Sequence, residues 1–345
     1  MALSVSSSRQ PSHSPLRPNS SFAFENPISP VDGGVHPVIH EGKVAVITGA
    51  GSGIGRAAAT ELAKIGMKIA IADINEEGLA ETRKEVAAIV GEPNVLVIPT
   101  DVSKLDEVVH LRDKVYEHWG EVSVLMNNAG IGARGTSWSG LDAWHKIMNV
   151  NLFGIVNVQQ TFVPSLIHQE NPAMIINTGS KQGITNPPGN AAYNASKAAV
   201  KSLTEGLAHE LRETPHANVT AHLFVPGWTW TGMTGASGVQ EKPAGAWSAQ
   251  ETVLYMVRIW RIPALRLRDR LCSPLTLVSL QLDRVREGKF YVIVPDNETR
   301  REVDQLRIMW AAGDVAEGRP ALSRWHKDYK ALFEEYIRDG LAILD

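Results

Sequence analysis

The 345-residue chain is 43% hydrophobic and 21% charged, with a formal net charge of -3, which is length enough for one large α/β body or two smaller ones. That balance gives no support to a nucleic-acid binder or a membrane-surface protein, and no apolar run approaches the ~20 residues that span a bilayer. The single cysteine, Cys272, cannot form an internal disulfide and suits a reducing, cytoplasmic setting.

Residues 1–40 are dense in Ser and Pro and lack helical periodicity, so they are expected to form a disordered tail. Arg9 and Arg17 precede any acidic residue, which leaves mitochondrial import as the alternative for this tail. Its scattered prolines argue against the amphipathic helix that import needs.

From Lys43 onward the pattern is regular. Short β-type runs (KVAVIT, KIAIAD, NVLVIPT, VSVLMN, AMIINTG and NVTAHLFV) alternate with helical stretches at 56–65, 76–90, 103–118 and 191–213. This alternation predicts an α/β fold: a doubly wound parallel sheet of Rossmann-like type, covered by helices on both faces. A ligand belongs at the carboxyl ends of its strands.

The run TGAGSGIG follows the first strand and opens a helix, placing Gly49, Gly53 and Gly55 where backbone turns tightly and approaches a phosphate. Asp73 ends the second strand, eighteen residues beyond Gly55. A carboxylate there can accept from both adenosine ribose hydroxyls and would repel a 2′-phosphate, and neither Ile74 nor Asn75 supplies a compensating cation. NAD is therefore expected over NADP. A solvated loop aspartate is the alternative reading of Asp73.

In NAAYNASKAAV, Tyr193 and Lys197 stand at i and i+4, so both point from one helical face. Ionising a phenol at neutral pH costs roughly 4 kcal/mol. A nearby ammonium lowers a phenol's pKa by about 1 to 3 units, which would make Tyr193 a usable acid and base. Ser180 ends a strand thirteen residues earlier. It can hold a substrate oxygen while the phenol moves a proton.

Eight motifs now stand in one order: TGAGSGIG (48–55), Asp73, DV (101–102), NNAG (127–130), Asn151 in NVN, Ser180 in NTGS, YNASK (193–197) and PGWTWT (226–231). In these the chain resembles a short-chain dehydrogenase/reductase over roughly residues 41–310. The resemblance implies an NAD-dependent oxidoreductase interconverting a secondary alcohol and a ketone, with Asn151, Ser180, Tyr193 and Lys197 as the catalytic set. It implies cofactor contacts from Gly49, Ser52, Gly53, Ile54 and Gly55 in the turn, and from Asp73, Asp101 and Val102 around the adenosine. Asn128 would brace the fourth strand beside the cofactor, which Ala129 and Gly130 would also contact. Pro226, Gly227, Thr229 and Thr231 would touch nicotinamide and pyrophosphate. Lys197 would bind the nicotinamide ribose, and Asn151 would hold a water linking Lys197 to solvent.

Substrate would be bordered by Ile131, Gln182, Trp228, Trp230 and Met233, beneath a lid formed by TGMTGASGVQEKPAG. A homodimer or homotetramer is implied as well. No His/Cys/carboxylate cluster has metal-ligand spacing, so no metal is expected. The competing class is a catalytically idle NAD(H)-binding sensor or scaffold, and the intact four-residue catalytic set speaks against it.

Residues 311–345 are expected as a helical extension, in which Tyr329, Leu332, Phe333, Tyr336 and Ile337 make one apolar stripe that docks on the body or on a neighbouring subunit. Residues 257–281 interrupt the expected helix-to-strand passage with five arginines and one acid. Deleting them brings Leu282 and Val285 four and seven places after Val253 and restores an apolar helical stripe. The segment begins with Val, whose codons start GT, and ends with Gln, which CAG encodes, as an in-frame intron read through as protein would. A genuine basic surface excursion is the alternative. Sequencing of mature message is expected to find codons 257–281 spliced out, and abundant message retaining them would overturn the intron reading.

Overall fold

The computed structural model describes residues 36–132, 135–235, 241–257 and 289–344. The six β-type runs form β1 Val44–Thr48, β2 Lys68–Asp73, β3 Val95–Pro99, β4 Val124–Asn127, β5 Ala173–Thr178 and β6 Val219–Val225. The helices among them are α1 Gly53–Lys64, α2 Glu76–Val90, α3 Leu105–Trp119, α4 Leu141–Met148, α5 Gly154–His168, α6 Gln182–Thr185 and α7 Ala191–Glu213. Then come the two-residue strands β7 Thr229–Trp230 and β8 Trp247–Ser248, followed by α8 Ala249–Val257. The strand β9 Tyr291–Ile293 and the helices α9 Arg301–Ala316 and α10 Lys330–Leu344 follow.

The main sheet has seven strands in the order β3-β2-β1-β4-β5-β6-β9, and every neighbouring pair is parallel. Parallel strands buried on both faces read as near-continuous apolar runs, and β1 and β5 are buried throughout. Alternation then sorts them. Ala45 and Ile47 of β1 join Leu62 of α1, Leu79 and Val86 of α2, and Val253 of α8 on one face. Val44 and Val46 join Leu111 of α3, Phe162 of α5 and Leu211 of α7 on the other.

Helix ends follow local chemistry. The Asn75 side chain caps α2 by accepting from the Gly78 N–H at 3.0 Å, and Glu76 and Glu77 occupy its first turn, where negative charge is favoured. α3 stops at Gly120 in the left-handed region, φ 76°. The expected helices at 76–90 and 191–213 have those bounds, while α1 starts three residues earlier than 56 because the glycine turn itself is its first turn.

Two expected boundaries shift. Val38 and Ile39 are buried in the core, and the His36 ring nitrogen accepts from both of their N–H groups at 3.1 Å. The packed body therefore reaches back to His36, and only residues 1–35 of the expected tail lie outside the described residues. The boundary at 310/311 falls inside α9, whose Trp310 takes Phe333 and Tyr336 of α10 at ring separations of 5.4 and 5.2 Å. Two residues of the expected stripe thus pack on the chain's own α9, while Leu332 stays exposed. Of the segment 257–281, all but Val257 lies outside the described residues, as do 236–240 of the expected lid.

Candidate active site

Strand order reverses between β1 and β4, so the loops after them part and leave a crevice at the strands' carboxyl ends. A cavity of about 900 Å³ lies there. At one end the turn after β1 passes Gly49 at φ +67° into α1, and a Cβ on Gly55 would stand 2.0 Å from the Gly49 carbonyl oxygen. That approach admits only hydrogen. Ser52, Gly53 and Ile54 line the cavity at the α1 N-terminus, whose first turn holds no acidic residue, a setting suited to a phosphate.

Asp73 at the end of β2 lines the same cavity. Its Oδ2 accepts from the Gly51 N–H and its Oδ1 from the Asn75 N–H, each at 2.9 Å, so the carboxylate is held in place by backbone on both sides. Asp101 lines the cavity with Val102, and its Oδ1 accepts from the Ser103 N–H at 3.0 Å and the Ser103 hydroxyl at 2.7 Å. Asn128 donates to the Thr48 and Gly49 carbonyls at 3.2 and 3.3 Å, tying the end of β4 to the glycine turn.

At the other end, Ser180, Gln182, Tyr193 and Lys197 line the cavity. The Tyr193 hydroxyl is hydrogen-bonded to Ser180, and burial pushes the phenol above its ordinary value, with that bond pulling the other way. Lys197 lies beneath, its Nζ 5.9 Å from the Tyr193 ring centre and donating to the Thr178 carbonyl at 2.7 Å. Burial lowers its ammonium to about 8. Burial, which disfavours charge on both groups, therefore dominates here: the phenol is raised rather than lowered, and the ammonium that would favour its ionised form is itself weakened.

Asn151 sits in a π-helical turn, Asn149–Phe153, between α4 and α5, a device that redirects one side chain within a helix. It does not line the cavity. Its Oδ1 accepts from the Ile131 N–H at 2.8 Å, and its Nδ2 donates to the Ile131 carbonyl at 2.9 Å and to Ser196 Oγ at 3.2 Å. A Cβ on Gly130 would lie 3.4 Å from Asn151 Oδ1 and 3.7 Å from Lys197 Nζ, so the two polar atoms flank one backbone bend.

Ala129, Gly130, Pro226, Gly227, Thr229 and Thr231 also line the cavity, as do Ile131, Trp228 and Met233 among the expected substrate residues. Trp230 does not line it. It is half-buried in β7, paired with Ser248 of β8, and that pairing sets its direction. Gly55 packs beneath the turn and is likewise outside the lining. Lys181 and Asp296 line the cavity without having been expected. Asp296 had a legible signal, since it closes YVIVPD just past the carboxyl end of the last strand.

A dinucleotide-shaped crevice at the switch of a doubly wound sheet, with a serine-bound tyrosine over a buried lysine, defines a nucleotide-dependent oxidoreductase. Residues 43–242 match the short chain dehydrogenase family, and the chain belongs to it. The chain is 37% identical over 196 residues to a 3-oxoacyl-acyl-carrier-protein reductase of Thermotoga maritima, covering 56% of this chain and 77% of that protein. A short chain dehydrogenase/reductase from Burkholderia phymatum, solved in complex with NAD, is similar at 33% identity and TM-score 0.55, over 86% of this chain and 93% of that one. An alcohol dehydrogenase from Thermococcus sibiricus, complexed with 5-hydroxy-NADP, is similar at 29% identity and TM-score 0.56, over 61% and 87%.

The lysine's environment sets a pH dependence. In the unfolded chain Lys197 keeps the ordinary value of 10.5, and in the folded one it has about 8. Between these pH values the unfolded state binds the extra proton, so folded stability rises with pH across that window, by about 3 kcal/mol in all. Below it this group contributes no slope. Urea unfolding at pH 7.5 and 10.5 is expected to show this gain in the wild type relative to Lys197→Met, and parallel profiles would contradict it.

Proposed function

We propose that this chain interconverts a secondary alcohol and a ketone with NAD as hydride partner, Tyr193 serving as general acid and base. The observation that carries the reading is the Tyr193 hydroxyl bonded to Ser180 above the buried Lys197. The cavity lining fits a nucleotide: Gly49, Ser52, Gly53 and Ile54 would hold its phosphates and Asp73 its adenosine ribose. The hydride chemistry would be supplied by a nicotinamide bound there.

In the oxidising direction the substrate hydroxyl lies against Ser180 Oγ and Tyr193 Oη. Its proton passes to the tyrosine oxygen as the carbonyl forms, and in reduction the phenol returns that proton. Ser180 holds the substrate oxygen throughout, donating as negative charge grows on it. Near neutral pH Lys197 is still an ammonium. With its Nζ 5.9 Å from the ring centre, it favours the phenolate and so works against what burial imposes on Tyr193. Trp228, Ile131 and Met233 supply apolar walls and Gln182 one amide, which suits a ketone on a largely apolar frame. The Thermotoga relative's name describes reduction of a 3-oxoacyl group, which is the same carbonyl class. A homodimer or homotetramer belongs to this reading.

NAD is preferred over NADP because the Asp73 carboxylate is fixed by two backbone donors and would meet a 2′-phosphate as a like charge. Tyr193→Phe is expected to lower kcat by about 10²–10⁴-fold, measured as NADH absorbance over a panel of alcohols, with NADH affinity unchanged. Retained turnover would remove the mechanism, and a wild type idle on the whole panel would favour a sensor or scaffold. Asp73→Ala is expected to weaken NAD binding by about 10- to 100-fold, the worth of hydrogen bonds to a charged group, and to narrow the preference over NADP. Equal binding of NAD and NADP by the wild type would refute the role given to Asp73.

A further inference from the structure

Lys181 directly follows Ser180 and is part of the cavity wall. Its Nζ lies 3.1 Å from Asp296 Oδ2 and 2.6 Å from Asp304 Oδ2, with the side chains of both aspartates less than a tenth exposed. Asp296 belongs to the loop after β9 and Asp304 to the first turn of α9. Arg307, one turn along α9, lies 3.7 Å from Asp304 Oδ1 and donates to Thr299 Oγ1 at 3.1 Å. Two cations and two carboxylates therefore form one neutral cluster.

The contacts of Asp296 and its neighbour run to both sides of the reacting centre. Asp296 Oδ2 accepts from the Trp228 N–H at 3.2 Å, in the turn expected beside the nicotinamide. Asn297 donates from Nδ2 to the Ala244 carbonyl at 2.7 Å and from its backbone to the Gly245 carbonyl at 3.1 Å. Its Oδ1 accepts from Trp247 Nε1 at 2.7 Å, at the base of the lid. One short loop thus touches the serine turn, the cofactor turn and the lid base.

Two carboxylates buried this deeply are expensive to keep charged, and an apolar set of similar volume would hold α9 as well or better. Burial pushes the Asp304 carboxyl above its usual range, and the Lys181 ammonium pulls it back. What ionic pairing adds over apolar contact is direction: Asp296 Oδ2 takes one donor from Lys181 and another from the Trp228 N–H.

We propose that Lys181, Asp296 and Asp304 form a positioning cluster through which α9 fixes the backbone on both sides of the reacting centre, at Ser180–Gln182 and at Pro226–Trp228. Removing Lys181 leaves Asp296 without its cation and Asp304 with Arg307 alone at 3.7 Å, and removing Asp304 leaves Lys181 half-paired. Either change frees the serine turn and the cofactor turn together. The catalytic consequence rests on the oxidoreductase reading above, and the structural one does not.

The test is hydrogen–deuterium exchange on the full chain, comparing wild type with Lys181→Gln, Asp304→Asn, the double variant and Lys181→Arg. NADH affinity by fluorescence and oxidation of cyclohexanol with NAD are measured in parallel. Exchange over residues 180–186 and 226–235 is expected to quicken about tenfold in each of the first two variants, and no further in the double one, since they break one shared network. Lys181→Arg keeps the protection. NADH affinity stays within about twofold, while kcat falls about tenfold or more as the reacting groups lose register. Exchange that rises only over residues 301–316 would show a staple for α9 and overturn the proposal, as would additive effects in the double variant. Should Asp304→Asn fail to fold, Lys181→Gln, whose site is partly open to solvent, carries the same outcomes. A wild type that leaves cyclohexanol untouched bears on the oxidoreductase reading alone, and the exchange result then decides the cluster.

Discussion

The reversal of strand order between β1 and β4 is the constraint on which the rest of the molecule depends. All seven strands of the main sheet are parallel, so every loop that follows one of them emerges at the same edge. Where consecutive crossovers go to opposite sides, those loops separate and the sheet edge lies open. The glycine turn after β1 and the bend after β4 form the two sides of that opening, and Asn128 ties them together. Asp73, Asp101, Ser180, Pro226 and Asp296 follow other strands and arrive at the same edge for the same reason. Strand direction assembles the site; the individual side chains then set its chemistry.

That chemistry turns on burial opposing charge. The Lys197 ammonium is taken out of water and compensated by the Thr178 carbonyl at 2.7 Å, so it stands poised close to losing its proton. Tyr193 is buried by the same packing, which disfavours its ionised form. Each group alone is strained by its surroundings, and each relieves the other only when the tyrosine becomes an anion while the lysine is still a cation. Packing that is costly at rest is arranged to be favourable at the moment of proton transfer.

Much of this was legible in the sequence because it is local. A strand followed by a glycine turn and a helix, a carboxylate at the end of the next strand, and a tyrosine one helical turn ahead of a lysine are all short-range patterns whose geometry follows from the periods of strand and helix. What escaped was non-local or irregular. Nothing in NVNLF shows that Asn151 sits in a π-helical turn and spends its amide on Ile131. Trp230 reads as a companion of Trp228 two places along an extended run, yet pairing with β8 takes it away from the cavity. The electrostatic reading of Tyr193 and Lys197 was right about proximity and incomplete about burial, because desolvation depends on neighbours from β5 and the turn after β4 that no window around residue 193 contains.

Lys181 and Asp296 illustrate the same limit at its longest reach. They stand 115 residues apart, far beyond any local sequence window. Their meeting follows from the register of β9 on β6, in which Tyr291, Val292 and Ile293 pair with Leu223, Phe224 and Val225. With β9 parallel to β6, the residues after Ile293 emerge beside those after Val225, so Asp296 arrives next to Trp228. Ser180 follows β5, the strand on the other side of β6, which places Lys181 within reach of the same carboxylate. A slip of β9 by one residue would exchange its two faces and carry Asp296 away from both partners. The ion cluster and the strand register therefore specify one another: the sheet delivers the charges to one place, and the charges penalise any register that would leave them buried and unpaired.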